Sequence, residues 1–288
     1  MQSVELTHNT FKRRLGVLLR PVLPPKLVQF LRYAFWCGSV YFPRLVTSGF
    51  AKRTPNVRGF GPAQGSSSLA KQLEGVNVLA PTRMCRVMTK YGSDKGRLNY
   101  YTPIYSALFK DRSNEPVRIF ELGLGTNNTE LPSNMGPYGA PGASLRGWRD
   151  LFPNARVYGA DVDRSILFEE DRIKTFYCNQ LDESSIRDLW SNQGLNEGAD
   201  ILIEDGLHTL EANISFLEGS LRHLRPGGIY VTEDIMLNDV DAWYERLESV
   251  YAKQNPTFEF AFAVIARDGS GGSNNLLVIR RKPEGSSL

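Results

Sequence analysis

The chain has 288 residues, 41% hydrophobic and 23% charged, with a net charge of +3. That is ordinary globular composition, enough for one large α/β domain with an extension, or for two small domains. Three cysteines (Cys37, Cys85 and Cys178) stand far apart with no CxxC pair, which argues against a disulfide framework or a zinc-thiolate site and predicts a reducing, cytoplasmic setting.

Charge is unevenly placed. Residues 1–60 hold ten Lys or Arg side chains against the single acid Glu5, interleaved with Phe30, Tyr33, Phe35, Trp36, Tyr41 and Phe42. The polar start Met1–Thr10 is not expected to act as a cleavable secretion signal. Arg32 and Pro43 interrupt the apolar run, so no membrane-spanning helix is predicted. Basic residues mixed with large aromatics suit a helical extension lying on the inner face of a membrane, or packing on a neighbouring subunit of a homo-oligomer. No nucleic-acid-binding signature accompanies the charge, so no nucleic-acid partner is expected. The Gly/Pro/Ser-rich stretch 59–68 reads as a linker. Residues 1–82 are therefore expected to be arm and linker, and residues 83–288 the functional domain.

From there strands and helices alternate. Strands are predicted over 117–122, 156–161 and 173–177, then up to Asp205 and up to Glu233-Asp234. Helices are predicted over 144–152 with Ser144 as N-cap, 182–190, 210–224 and 242–252. The helix 210–224 is expected to stop at Pro226-Gly227-Gly228. A closing hairpin over 258–265 and 275–281 completes a seven-stranded, mostly parallel, doubly wound sheet of Rossmann-like type, ending antiparallel.

In an open α/β sheet, ligands bind past the carboxyl ends of the strands. Glu121-Leu122-Gly123-Leu124-Gly125 is a glycine turn that lets a ligand approach the backbone. It lacks the third glycine of a dinucleotide fingerprint. Asp161 ends the next strand, placed for the hydroxyls of a ribose. Asn179-Gln180-Leu181-Asp182 ends the third, where amides and the Asp182 carboxylate could read an adenine edge. An adenosine-containing cofactor is expected, held by Glu121, Gly123, Gly125, Asp161 and Asp182. The acid Glu121 disfavours a pyrophosphate and is compatible with a cationic sulfonium bearing an amino group.

Asp205-Gly206-Leu207-His208 and Glu233-Asp234 follow neighbouring strands. Three carboxylates and one imidazole are the inventory of a divalent-cation site with a general base beside it. No thiolate is present, so a hard cation such as Mg²⁺ or Mn²⁺ is favoured. A helix cap or a solvated turn is the plain alternative for any one of these acids. Over residues 84–282 the chain resembles class I S-adenosylmethionine-dependent methyltransferases. Tyr91-Gly92-Ser93-Asp94-Lys95-Gly96, the long loop 127–143 leading into Gly142–Trp148, and the two acidic clusters narrow the likeness. Together they resemble the metal-dependent sugar O-methyltransferases of macrolide and glycoside biosynthesis. That resemblance implies S-adenosylmethionine as cofactor, Mg²⁺ on Asp205, Glu233 and Asp234, and His208 as the base. The family more often has Ser where Leu207 stands.

The expected acceptor is a sugar or glycan hydroxyl, and the basic arm suggests one that is lipid-linked. A hydroxyl of a catechol-like or polyketide product is a second reading. A cofactor-binding accessory subunit without transfer chemistry is a third, disfavoured by the intact acidic clusters. Lys95 is the candidate cation for the cofactor carboxylate.

Overall fold

The computed structural model describes residues 53–61, 67–96, 99–265 and 274–285. The expected arm lies outside the described residues up to residue 52, as do residues 62–66 of the linker and the glycine-rich turn 268–273. Residues 52–288 form one compact unit. The sequence reading ended the arm at residue 82. Instead, a strand at Asn56–Phe60 (β1) and a helix at Ser68–Glu74 (α1) belong to the same unit as the sheet.

Helices α2 (Arg83–Tyr91) and α3 (Tyr101–Phe109) follow. Then come β2 (Arg118–Leu122), α4 (Ala143–Leu151), β3 (Arg156–Asp161), β4 (Glu169–Glu170) and β5 (Ile173–Tyr177). The chain continues through α5 (Glu183–Ser191), β6 (Ala199–Glu204), α6 (Leu210–Ser220) and β7 (Leu224–Ile235). Helix α7 (Val240–Arg246) runs on through a widened turn before the hairpin β8 (Phe258–Val264) and β9 (Asn275–Arg281).

Among the described residues, the sheet has nine strands in the order β1-β8-β9-β7-β6-β2-β3-β5-β4. The five central ones are parallel and β1, β4, β8 and β9 are antiparallel. The two beyond the expected seven are β1 and the two-residue β4, both on edges, where no buried apolar run marks a strand. Alternate side chains of the central strands feed opposite faces, as pleating requires. Ile119, Val157, Ile201 and Val231 enter one core with Leu145, Trp148 and Tyr105. Phe120, Tyr158, Leu202 and Tyr230 enter the other with Phe216, Trp190 and Trp243.

Two local expectations change. Pro226-Gly227-Gly228 does not stop a helix but lies within β7, where pairing with β6 is irregular between Ala199 and Ile201. Ser144 does not cap α4. Gly142 in the left-handed region does, and the Ser144 hydroxyl turns inward to Glu121. Among the described residues, no helix is long and apolar enough to cross a membrane.

Cys85 and Cys178 are both buried. Burial pushes the Cys178 thiol up to about 12, so little thiolate exists at pH 8. Iodoacetamide labelling of the native protein, mapped by peptide mass, should leave Cys178 unmodified until denaturant is added. Rapid labelling in the native state would show that the core around α5 opens readily.

Candidate active site

The chain runs outward from β2 through β3 to β5, then returns to place β6 on the other side of β2. This reversal is the switch point at which open α/β sheets form their ligand crevice. Gly123 sits at it with φ +92, and a Cβ there would fall 1.9 Å from the backbone oxygen of Asp205. The glycine therefore lets the turns after β2 and β6 touch. Gly125, at φ +77, lies under the Met135 side chain. Asp161 holds this turn in place. Its carboxylate accepts hydrogen bonds from Leu124 N at 2.8 Å and Asp163 N at 2.9 Å.

The other expected cofactor residues divide. Glu121 does not face the crevice. It is fully buried and accepts from the Ser144 hydroxyl and the Trp148 indole N–H. Asp182 is the N-cap of α5, accepting from Ser184 N at 2.9 Å and Ser184 Oγ at 2.7 Å. The expectation that Asn179 and Gln180 face an adenine changes at Gln180. Its amide N–H donates to Glu204 and its oxygen accepts from Leu207 N at 2.8 Å. Val162 and Leu181, just past β3 and β5, are 45% and 49% exposed. They offer apolar faces to a planar ring between strand ends.

On β6 and β7 the acidic clusters converge. Among the described residues, Asp205, His208 and Asp234 each offer a ligating atom, all within 4.8 Å of one another. His208 Nε2 lies 3.1 Å from Asp205 Oδ1 and 3.9 Å from Asp234 Oδ2. His208 and Asp234 have φ of 58° and 53°, a left-handed conformation uncommon for residues other than glycine. Such positions cluster at functional sites. Burial disfavours the His208 cation, but the bond to Asp205 and the charges of Asp205 and Asp234 outweigh it and push His208 up to about 9. Burial raises Asp234 to about 6, helped by the charge of Asp205.

Glu233 does not join this group. Its Oε2 accepts from Lys95 Nζ at 2.8 Å and its Oε1 from the Tyr105 hydroxyl. Lys95 in turn donates to Asp205 Oδ2 at 2.5 Å and stands 3.5 Å from Glu121 Oε1, with its side chain 1% exposed. It is thus an internal cation, and the expectation that it meets a cofactor carboxylate gives way to this placement. Tyr101 donates to Asp234 Oδ1 and accepts from Asp234 N. Lys95, Tyr101 and Tyr105 had no expected role in holding the acids. The spacing of four between the tyrosines, one turn of α3 apart, was a usable signal. Glu204, beneath the Asp205 turn, accepts from Gln180, Gly206 N and Asn213.

For a divalent cation, Asp205 and Asp234 fit, each directing an oxygen toward His208, whereas the Glu233 oxygens turn to Lys95 and Tyr105. For an adenosyl cofactor, the glycine turn, Asp161 and the exposed Val162 and Leu181 fit.

Comparison with solved structures places the architecture. The MycE methyltransferase of the mycinamycin pathway, solved with Mg, SAH and mycinamycin VI, superposes with a TM-score of 0.52 at 24% identity. The likeness covers 78% of this chain and 63% of that one. The chain shares the Rossmann-like fold of that methyltransferase. No protein-family model matches the chain. Demethylmacrocin O-methyltransferase of Streptomyces fradiae is 35% identical over 140 residues, 49% of this chain and 33% of that protein. Mycinamicin VI 2''-O-methyltransferase of Micromonospora griseorubida is 32% identical over 203 residues, 69% of this chain and 46% of that protein. The chain thus spans between a third and a half of the length of these curated relatives.

Proposed function

We propose that this chain is an S-adenosylmethionine-dependent O-methyltransferase acting on a sugar hydroxyl of a glycosylated acceptor, assisted by a divalent cation. One observation carries the reading. His208 stands within hydrogen-bond reach of Asp205 and close to Asp234, at the carboxyl ends of two parallel strands beside the glycine turn. Other curated relatives are named as O-methyltransferases of rhamnosyl tetracenomycin-C and L-olivosyl-oleandolide, which favours a sugar over a catechol. The basic arm favours a lipid-linked glycan at a membrane surface.

A sugar hydroxyl is a weak acid, and an imidazole near its usual value of about 6.5 cannot ionise it beforehand. Asp205 and Asp234 would hold the cation, which would supply the Lewis acidity that an acceptor hydroxyl needs. Offsetting the carboxylate charge would weaken the pull that keeps His208 protonated. His208 Nε2 can then accept the hydroxyl proton as the methyl group leaves sulfur. Gly123, Gly125 and Asp161 position the cofactor, and the long loop carrying the exposed Met135 and Tyr138 borders the acceptor side.

Calorimetric titration of S-adenosylmethionine into chelator-treated protein, repeated with Mg²⁺, tests the reading. Uptake of both is the expected result. Cofactor uptake without cation uptake would overturn the metal-assisted mechanism and leave the transfer reaction.

A further inference from the structure

Lys95 is a cation buried at the base of the site, its side chain 1% exposed. It lies in the turn between α2 and α3, and its backbone oxygen accepts from Tyr101 N and Thr102 N at 3.0 and 3.2 Å. The ammonium is therefore fixed by the same segment that delivers the Tyr101 and Tyr105 hydroxyls to Asp234 and Glu233. Around Nζ stand Asp205 Oδ2, Glu233 Oε2 and Glu121 Oε1, at 2.5, 2.8 and 3.5 Å. Three carboxylates taken out of water without a cation would repel one another strongly. A lysine there relieves that repulsion before any metal arrives. It also takes up Asp205 Oδ2, leaving Oδ1 toward His208.

We propose that Lys95 is a positioning residue, a built-in cation that fixes which carboxylate oxygens face the crevice and limits how tightly they take up a divalent cation. This rests on the cation reading proposed above, with Asp205 common to both. The lysine and a divalent ion are like charges bound to one carboxylate. In a partly buried site, a unit charge within a few ångströms of a dication shifts its affinity by well over tenfold. Removing the ammonium should therefore tighten cation binding, whereas loss of a merely structural prop would weaken it.

The test titrates Mn²⁺ alone, with free Mn²⁺ read by electron paramagnetic resonance and no cofactor or acceptor present. Lys95→Met is expected to bind Mn²⁺ at least tenfold more tightly than the parent. Should that variant fail to fold, Glu233→Gln and the double variant Lys95→Met/Glu233→Gln form a second comparison. The double variant removes both members of the buried ion pair. It is expected to bind Mn²⁺ at least tenfold more tightly than Glu233→Gln alone. Unchanged or weaker binding in the folded variants lacking Lys95 overturns the proposal. A parent without Mn²⁺ uptake, beside a Lys95 variant that gains it, would support the role of Lys95 while removing the cation from the native reaction.

Discussion

His208→Gln is expected to lower methyl transfer to a glycoside acceptor by about 10²–10⁴-fold, the range for loss of a positioned general base. Glutamine still reaches Asp205 through its amide but cannot accept a proton. S-adenosylmethionine affinity should stay within about threefold of the parent, because the turn at Gly123–Gly125 and Asp161 is held by bonds that do not involve His208. Single-turnover kinetics with calorimetric binding separates the two effects. Near-normal turnover would remove His208 from the base role. Loss of cofactor binding would instead make it a support of the cofactor turn.

A second large effect concerns the carboxylate scaffold. Trp148 is wholly buried between Tyr105, Phe109 and Phe152, with ring centroids 5.5, 6.3 and 6.2 Å away. Its indole N–H also donates to Glu121. Trp148→Ala is expected to destabilise the fold by about 3–5 kcal/mol, through lost burial and the cavity left behind. The variant also strips a buried carboxylate of a donor, which adds to the loss. Urea unfolding followed by circular dichroism measures this. A change below about 1 kcal/mol would show that the aromatic cluster relaxes into the space, and would deny Trp148 its place under the site.

The parallel core was legible because its strands are short apolar runs, and Asp161 and Asp205 lie at the strand ends the pattern placed. Asp205, His208 and Asp234 were brought together as expected. The partners of Glu233 were not legible, because the Lys95 ammonium and the Tyr105 hydroxyl that bond its two oxygens come from the segment before β2. The position of Glu121 alone suggests a cofactor contact, because the sequence does not show the Ser144 and Trp148 donors that turn it inward. The left-handed backbone at His208 and Asp234 has no sequence mark, since neither residue is glycine. β1 escaped detection because an edge strand needs no continuous apolar run.

The turn at Lys95 and the tyrosines of α3 lie before β2 in the chain, outside the strand-helix alternation by which this fold is recognised. The candidate site of this protein consequently draws on more of the chain than its sheet repeat. A fragment beginning at β2 would keep the glycine turn and Asp161. It would inherit acids whose partners had been left behind, so domain boundaries drawn from the repeat alone would sever the acidic cluster from its support.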